Sequence, residues 1–581
     1  MGRRLSHFFP ALLALAVVGS AAGDHVKAAA AYYSHEVDAR QQSEQKPFSS
    51  EHKPAAAAAA ATKENPLTVE FGDFVREQLD KWKVPGIAVA VVDGDEVYAE
   101  GYGYATLPDV PATPETLWYG ASTTKAHVAA VLSALIHSGN HSALLSRGWS
   151  TPISSIIRDD FVLQDEWATN HVTLDDAVSH RTGMPRHDGS LRSVVDGDGN
   201  GNSGSRPTTP RDVVRNLRNL PLAAEPRQVS YYCNLMYATL SHVVETVTGK
   251  WLGQVLREVI WGPLGMDSTF FDLQSALDAS EHLASGYAWD YERGEYKEIP
   301  YMTLTEVSGA GSVISNALDY AKWIQSLIQQ TGPLSEEVHK DIRTPRAFWG
   351  GFPNKGYDLE LYGLGWSRTL YKGHVVYTHS GGMHAYGTEV YWFPEAKYGV
   401  VVFGNTATCH VVEEVVGWKL IDDKLGVPEE DRFDYAEKWK QGRDRLTWLY
   451  ENAVDVLYPE RPDPVLPSTL NTSELAGTYY DPGYGRITLR EEPHPDKPGE
   501  TILVADRPET TWKYSMHFYH VSADHWIAYL DAPIYSGTKF KDFYAAEFKV
   551  GADGKAWGVE VLLESRTDPM PEGTVLYKRV A

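Results

Sequence analysis

Ser122 and Lys125 have the spacing of a serine nucleophile and its base, because residues three apart lie on the same face of a helix. The string from Ser122 to Lys125 opens a run whose apolar residues recur with a helical period, and Gly139 is placed to end that helix. A hydroxyl at a helix start lies near the positive end of the helix dipole, and burial disfavours the charged form of a nearby lysine. A neutral lysine can deprotonate a serine, so the pair favours covalent acyl transfer.

Ser-x-x-Lys is weak evidence alone, because the sequence contains four such strings. The other three are Ser43/Lys46, Ser50/Lys53 and Ser536/Lys539. Two of these lie in a low-complexity stretch, and the third lies in a loop that contains glycine and proline. We therefore single out Ser122, the only one of the four serines that opens an apolar helix.

Two later strings could complete the chemistry, since acyl transfer also needs a proton donor for the leaving group and an oxyanion hole. Tyr232-Cys-Asn234 precedes a predicted helix over 235–247. His379-Ser-Gly-Gly382 lies at a predicted strand, where glycines let a backbone N–H approach a substrate carbonyl. Each string has a second match, at Tyr450-Glu-Asn452 and at His137-Ser-Gly139, so the ordered set carries the argument.

This ordered set resembles the serine β-lactamase-like, penicillin-binding family, and specifically its class C-related esterase and D-peptidase branch, over about residues 67–425. Three further strings support the resemblance: Val84-Pro-Gly-Ile-Ala-Val89, Ser179-His-Arg-Thr-Gly-Met-Pro185 and Tyr362-Gly-Leu-Gly-Trp366. Each string alone is common, but together and in this order they are specific for the family.

The resemblance implies a role for each residue of the set. Ser122 would form an acyl-enzyme, and Lys125 would help to deprotonate it. Tyr232 would act as general acid or base, and His379 would complete the proton network or bind the substrate. The implied substrate-binding residues are Asn234, Ser380, Gly381 and Gly382, and the backbone N–H groups of Ser122 and Gly382 would form the oxyanion hole.

The identity of His379 narrows the expected function. Class C β-lactamases carry Lys-Thr-Gly on this strand, whereas a histidine is mostly neutral near pH 7. We therefore expect a serine hydrolase acting on a small ester or amide, with an esterase slightly ahead of a D-stereospecific aminopeptidase or carboxypeptidase. The alternatives are an acyltransferase, a weak β-lactamase, and a penicillin-binding-like sensor that acylates without turnover.

No cofactor and no metal is expected. The sequence contains no His-Glu-x-x-His string and no zinc-type spacing of Cys and His. The string Asp196-Gly-Asp-Gly-Asn-Gly201 resembles the start of a calcium loop, but its twelfth position is Pro207 instead of glutamate. We interpret it as a flexible insertion.

The elements that must position these residues predict an α+β fold. An amphipathic helix over 71–82 and a hairpin over 84–104 are followed by a mostly helical stretch. Further strands are predicted at 363–366, 374–379, 387–393 and 398–403, before a closing helix over 411–425. This order predicts one antiparallel sheet built from both ends of the segment, flanked by helices and carrying an inserted helical subdomain. The family resemblance implies that this sheet is β-lactamase/transpeptidase-like. A ligand cleft is expected where the sheet meets that subdomain.

Shifts in composition predict five parts of the chain. They are a signal peptide at 1–22, a low-complexity disordered leader at 23–64, a catalytic domain at 65–427, a helical and proline-rich linker at 428–467, and a C-terminal domain at 468–581. The last part has short β-runs separated by turns, which predicts a small antiparallel β-barrel of lipocalin-like type or a small sandwich.

The overall composition bounds the partners. A net charge of −24 over 581 residues argues against nucleic acid, and no apolar run is long enough for a membrane span. The N-terminal signal and the sequons at Asn140 and Asn471 predict a secreted glycoprotein. Cys233 and Cys409 could pair, but we expect two buried free thiols. The expected partner is a small-molecule ester or amide, and the oligomeric state stays open.

Overall fold

The computed structural model describes residues 64–196, 205–350, 357, 359–532, 541–564 and 571–580. The predicted signal peptide, nearly all of the predicted leader and the Ser536/Lys539 string lie outside the described residues. So does most of the string that resembles a calcium loop. The domain boundaries drawn from the sequence stay predictions.

An antiparallel sheet organises the region that carries the candidate residues. The strands up to residue 404 are β1 Gly86–Asp93, β2 Glu96–Thr106, β3 Val110–Pro111, β4 Trp118–Tyr119, β5 Val194–Asp196, β6 Ser205–Pro207, β7 Gly286–Asp290, β8 Glu295–Ile299, β9 Ile314–Ser315, β10 Ala347–Gly350, β11 Glu360–Tyr362, β12 Ser367–Tyr371, β13 His374–Met383, β14 Tyr386–Phe393 and β15 Tyr398–Gly404. Among the described residues, nine of them form one sheet in the order β10-β11-β12-β13-β14-β15-β1-β2-β3. Strand β1 pairs with β15, so the sheet is built from both ends of the region, as predicted.

Helices cover both faces of this sheet. The α-helices of the region are Val69–Trp82, Thr124–Ser138, Ser142–Leu145, Glu166–His171, Leu174–Val178, Pro210–Asn216, Asn234–Thr248, Leu252–Leu256, Gly262–Leu264, Leu273–Leu277, Ser308–Gly311, Ala317–Gln329, Glu336–Arg343 and His410–Leu425. Every residue of β1 is buried, and successive side chains point to opposite faces. Ala88 joins the core that contains the helix Thr124–Ser138, whereas Val89 joins the core formed with Val69–Trp82 and His410–Leu425.

One predicted strand is wrong. Gly363–Trp366 forms a turn between β11 and β12, in which the Gly363 N–H donates to the Trp366 carbonyl oxygen. Gly365 has a φ of 71°, and a Cβ there would lie 2.5 Å from the backbone N of Ala126. The glycine therefore marks a tight turn against the helix Thr124–Ser138, and not an extended strand.

The C-terminal residues form a closed eight-stranded antiparallel barrel, which confirms that prediction among the residues described. Its strands are β16 Gly477–Asp481, β17 Gly485–Pro493, β18 Thr501–Arg507, β19 Tyr514–Ser522, β20 His525–Asp531, β21 Phe543–Val550, β22 Ala556–Glu564 and β23 Pro571–Arg579. The helix Thr472–Leu475 precedes the barrel. The predicted linker holds two helices, Tyr435–Glu451 and Ala453–Leu457.

The barrel docks on the segment that follows the Ser179–Pro185 string. The Ser193 N–H donates to the Glu509 carbonyl oxygen at 2.9 Å, and the Thr511 N–H donates to the Leu191 carbonyl oxygen at 3.0 Å. The Tyr484 hydroxyl also lies 2.7 Å from Nδ1 of a buried histidine, His187. Backbone hydrogen bonds of this kind join the barrel to the region of the nine-stranded sheet, which carries the candidate catalytic residues.

The state of the two cysteines agrees with the prediction. Cys233 and Cys409 are both buried and free. Within the described part of the chain, every helix is too short or too polar to cross a bilayer.

Candidate active site

Ser122 lies in a 3₁₀ turn, Ala121–Thr123, that leads directly into the helix Thr124–Ser138. Ala121 has a φ of 44°, a backbone conformation that costs a non-glycine residue energy and that surrounding contacts must hold. The Thr123 hydroxyl provides such contacts, because it donates to the Gly120 carbonyl oxygen at 2.7 Å and lies 2.5 Å from the Tyr320 hydroxyl. The turn places Ser122 at the head of the helix, which ends at Gly139 with a φ of 69°, as predicted.

The Lys125 amine is fully buried and lies 3.1 Å from Ser122 Oγ. It also donates to Asn234 Oδ1 and to the Ala310 carbonyl oxygen, both at 2.9 Å. Burial, together with the nearby positive charge of Arg186, holds the pKa of Lys125 well below its ordinary value. In the neutral amine two N–H groups satisfy the two oxygens that can only accept, so the lone pair faces the Ser122 hydroxyl.

A short polar chain fixes the amide that holds this lysine. Asn234 Nδ2 donates to the Asp188 carboxylate at 3.0 and 3.3 Å, so its oxygen faces Lys125. Asp188 in turn accepts from Arg186 Nε at 2.9 Å. Asn234 begins the helix Asn234–Thr248, whose rigid backbone fixes its position. The chain therefore orients the base without placing a charge directly on its nitrogen.

Tyr232 lies beside the same pair. Burial raises the pKa of its phenol above the ordinary value, and the neighbouring Ser122 side chain opposes this shift in part. The Lys125 Nζ lies 4.7 Å from the centre of its ring. The centre of its ring also lies 4.5 Å from that of His180, whose Nδ1 accepts the Cys233 N–H at 3.1 Å. The phenol is therefore protonated in the resting site, and it lies where it can donate that proton during a reaction at Ser122.

His379 lies on β13 with both ring nitrogens engaged. Nδ1 lies 2.6 Å from the Ser380 carbonyl oxygen, which can only accept, and Nε2 lies 3.0 Å from the Tyr362 hydroxyl. Nδ1 therefore carries the proton, and Nε2 accepts from the tyrosine. Burial and the charge of Lys125 lower the pKa of His379 to about 3. The imidazole is thus neutral and 6.4 Å from the Tyr232 ring, between ring centres.

The two glycines that follow His379 and Ser380 have different surroundings. A Cβ on Gly381 would lie 2.4 Å from the Gly120 carbonyl oxygen and 3.2 Å from the Ser122 nitrogen, so only glycine lets β13 approach the nucleophile turn this closely. Gly382 lines the cavity in front of Ser122. Ser380 is exposed to solvent and hydrogen-bonds His379 through its carbonyl oxygen. The pairing of β13 with β12 ends at Thr378, so residues 379–383 extend past that neighbour.

Replacing Gly381 by alanine tests this close approach. Because the obstructing atoms are backbone, we expect Gly381→Ala to lower the free energy of unfolding by about 2–3 kcal/mol and to lower hydrolytic activity with it. Thermal and denaturant unfolding measure the first effect. In the matched control Gly442→Ala, no atom lies within 4 Å of the added Cβ, and the residue is helical, so the free energy of unfolding should rise by about 0.5–1 kcal/mol. Equal effects at the two sites would contradict the account.

The cavity at Ser122 has a volume of about 470 Å³ and lies between the catalytic region and the barrel. The catalytic region contributes Ala121, Ser122, Arg186, Asp188, Gly189, Asn234, Leu304, Val307, Ala310, Gly311, Gly382, Met383 and His384. The barrel contributes mostly aromatic and apolar side chains: Trp512, Lys513, Tyr514, Met516, Leu530, Ala532, Asp542, Tyr544, Leu563 and Tyr577. The cleft expected between the sheet and the helical subdomain therefore has a third wall.

Several site residues were missed by the sequence analysis. Asp188 and Arg186 directly follow the string Ser179–Pro185, which could have drawn attention to them. Ala310 acts through its carbonyl oxygen, which leaves no signal in the side chain.

Comparisons with known proteins identify a family and several similar proteins. The family model for Beta-lactamase matches residues 71–416. An unguisins hydrolase of Aspergillus campestris is 36% identical over 506 residues, which span 86% of this chain and 90% of that protein. A D-aminopeptidase of Gluconobacter oxydans is 24% identical over 358 residues, 60% of each chain. The solved octameric penicillin-binding protein homologue of Pyrococcus abyssi has a similar fold, with a TM-score of 0.54 at 20% identity over 87% of this chain and 99% of that one.

Proposed function

We propose that this chain, which belongs to the beta-lactamase family and is a serine hydrolase, cleaves an amide bond of a small substrate through an acyl-enzyme on Ser122. One observation carries the proposal. The fully buried amine of Lys125, with its lowered pKa, lies 3.1 Å from a serine hydroxyl that opens onto a cavity. A buried amine with a lowered pKa at hydrogen-bond distance from a serine hydroxyl is the arrangement that serine acylation requires.

Acylation follows from these contacts. Lys125 accepts the proton of Ser122 as Oγ attacks the substrate carbonyl carbon. The developing oxyanion accepts hydrogen bonds from the backbone N–H groups of Ser122 and Gly382, a type of contact whose loss typically costs about 3–4 kcal/mol of transition-state stabilisation. Tyr232 donates its proton to the leaving amine, and the lysine ammonium returns a proton to the phenolate. The amine departs, and the acyl group stays on Oγ.

Deacylation reverses the proton flow. Water enters the cavity, loses a proton to Tyr232 and Lys125 acting together, and attacks the acyl carbonyl carbon. The Ser122 oxygen leaves and takes that proton back, which restores the resting site. His379 stays neutral, holds the Tyr362 hydroxyl and borders the tyrosine, so it acts as a positioning residue.

Two relatives indicate which substrates to test, and one of them, the D-aminopeptidase, supports an amide bond. The unguisins hydrolase matches over 506 residues, which is longer than the Beta-lactamase match over 71–416 and therefore extends beyond the catalytic region. The D-aminopeptidase relative supports a D-configured residue on the acyl side of the cleaved bond. Unguisins and D-aminoacyl amides are thus the two substrate classes to test first. Within the cavity, the Asp188 carboxylate is placed to bind a substrate amino group.

A paired substrate panel tests this proposal. Purified protein is given unguisins, D- and L-aminoacyl amides that differ only in configuration, a chromogenic cephalosporin and p-nitrophenyl esters. We expect kcat/KM for the D-amides to exceed that for the L-amides at least about 10-fold, and the cephalosporin to be turned over slowly or not at all. Equal rates for D and L amides, or turnover of the cephalosporin alone, would refute the proposed substrate class.

Ester hydrolysis is the second candidate. The observation that favours it is His379, which supplies no cation at the position where class C β-lactamases use lysine to hold a carboxylate. In the same panel this candidate predicts p-nitrophenyl esters as the preferred substrates, with no turnover of any amide. Product that forms only when an alcohol or amine is added would indicate acyl transfer instead.

The barrel side of the cavity should affect substrate binding without affecting the chemical step. Trp512 lines the cavity opposite Ser122, so Trp512→Ala removes apolar contact worth about 1.5 kcal/mol. We expect KM for a cleaved amide to rise about 10-fold, while hydrolysis of p-nitrophenyl acetate, which is too small to reach this wall, stays within about twofold. Trp557→Ala is the matched control, because Trp557 is an exposed tryptophan of the same barrel. Equal losses with both substrates would instead indicate a loosened barrel.

We also propose that the chain is secreted and glycosylated. The support is in the sequence: a basic start and an apolar run within residues 1–22, and sequons at Asn140 and Asn471. N-terminal sequencing of protein from the culture medium should give a start after residue 22. An intact N-terminus on protein retained inside the cells would contradict secretion.

A further inference from the structure

A second cluster of chemically active side chains lies behind the strand that carries Gly382. Glu389 is on β14, and His410 and Glu413 are on the first turn of the helix His410–Leu425. His410 Nδ1 lies 2.9 Å from Glu413 Oε2 and 3.6 Å from Glu389 Oε1. One nitrogen and two carboxylate groups thus converge from a strand and a helix.

The glycines around this cluster form a cradle for it. A Cβ on Gly387 would lie 2.6 Å from Glu413 Oε1, and a Cβ on Gly404 would lie 3.1 Å from the same atom. These two glycines face each other across β14 and β15. On β13 a Cβ on Gly382 would lie 3.0 Å from His410 Nε2. Glycine in three adjacent strands leaves the room that the histidine and the carboxylate occupy.

The cluster is short of hydrogen-bond donors. The Glu413 side chain has no exposed surface, and in the described part of the chain neither of its oxygens receives a hydrogen bond of acceptable geometry. His410 Nδ1 also makes none, although both carboxylates are near. The nitrogen therefore does not aim at either oxygen, as expected for atoms that converge on a common point. A buried carboxylate without a well-aligned donor is costly, and a cation held between these three side chains would offset that cost.

Charge and distance both fit a divalent cation. Two carboxylates and a neutral imidazole carry two negative charges, which one divalent ion cancels. A protonated His410 would instead cancel only one of the two negative charges and leave the other buried. The neighbouring Glu414 does not change this sum, because Lys438 Nζ lies 3.0 Å from its carboxylate and neutralises it. Metal–ligand distances of about 2.0–2.2 Å in a tetrahedral site place ligand atoms roughly 3.4 Å apart, close to the separations observed at His410.

We propose that Glu389, His410 and Glu413 bind a divalent first-row transition metal ion. Mixed imidazole and carboxylate ligands suit zinc, and three protein ligands leave a fourth position for water. The ion can enter past His410, whose side chain is 20% exposed. The sequence analysis predicted no metal because the third ligand, Glu389, is brought to the other two only by the sheet. A bound ion would hold β14 and the helix His410–Leu425 together next to Gly382. The proposal does not depend on the proposed acyl chemistry.

Metal content measured on the full-length, untagged protein tests this proposal. The protein is stripped with a chelator, incubated with zinc, passed through a desalting column and analysed by mass spectrometry for metal. We expect about one zinc per chain, a higher Tm in the loaded protein, and a visible absorption band when cobalt replaces zinc. In Glu413→Gln and Glu389→Gln we expect less than about a tenth of that zinc and no cobalt band. The control Glu337→Gln, at an exposed glutamate on another helix, should bind as the wild type does.

Either of two results would overturn the proposal. One is wild-type protein that retains no zinc and shows no cobalt band, which would make the cluster a buried ion pair with a protonated His410. The other is equal zinc in the wild type and in both glutamine variants, which would place the ion elsewhere. Circular dichroism of the variants shows that a loss of metal is not a loss of fold. Ser122 is untouched in every protein, so a negative result leaves the proposed hydrolysis unaffected.

Discussion

Ser122→Ala should abolish hydrolysis, with kcat/KM falling by about 10⁴- to 10⁶-fold on every substrate that the wild type cleaves. The expected loss is this large because the oxygen that becomes acylated is removed, whereas the cavity and its hydrogen-bond donors remain. Initial rates and intact-mass spectra of the same samples measure it, and the variant should show no covalent adduct.

The sequence itself offers a matched control for this variant. Ser43 belongs to another Ser-x-x-Lys string, in the low-complexity stretch, and Ser43→Ala should leave kcat/KM within about twofold of the wild type. A Ser122→Ala protein that is folded, as judged by its Tm, and retains more than a small percentage of the wild-type rate would show that another group is the nucleophile.

Lys125→Met should be the second most damaging change, with a loss of about 10³-fold in the rate of acylation. Methionine nearly fills the volume of the lysine chain but cannot accept the Ser122 proton, and it leaves the Ala310 carbonyl oxygen and Asn234 Oδ1 without their donor. Stopped-flow detection of the first product released from an activated ester measures acylation directly. Lys440→Met, at an exposed helix position paired with Asp444, is the control and should change nothing.

The pH dependence of kcat/KM shows whether Lys125 acts as a base or has only a structural role. The reactive form of Lys125 is neutral, so the rate should rise with pH through the lysine pKa, which lies well below its ordinary value, and then reach a plateau. His379, with a pKa of about 3, stays neutral at neutral pH and adds no step there. In Lys125→Met the rise of kcat/KM with pH should disappear. A rise that persists in this variant would contradict the assignment of Lys125 as the base.

The local parts of this site could be predicted from the sequence. A serine three residues before a lysine, an apolar period and a terminal glycine together predict a helix with both side chains on one face, and Thr124–Ser138 follows that prediction. The contact between Lys125 and Asn234 joins residues far apart in the chain, and the family resemblance indicated only that both residues belong to the site. Long-range contacts depend on how the sheet and helices pack, which periodicity does not report.

The features that could not be predicted from the sequence also depend on long-range contacts. Glycines at 363 and 365 occur in an apolar string that resembles a strand, but close approach to Ala126 makes it a turn. The barrel was predicted as a fold, yet its place over Ser122 depends on backbone hydrogen bonds between 191–193 and 509–511. Asp188 reaches the site through Asn234, a contact that no local pattern encodes.

The most direct test of the central claim is to trap the acyl-enzyme and locate it. Wild-type protein is mixed with a D-aminoacyl ester, quenched in acid during the first turnover, and analysed by intact mass and by peptide mapping. We predict a mass increase equal to the acyl group, carried by the peptide that contains Ser122, and absent from Ser122→Ala. Turnover with no adduct in the wild type, or an adduct on any other residue, would contradict the claim that Ser122 is the nucleophile.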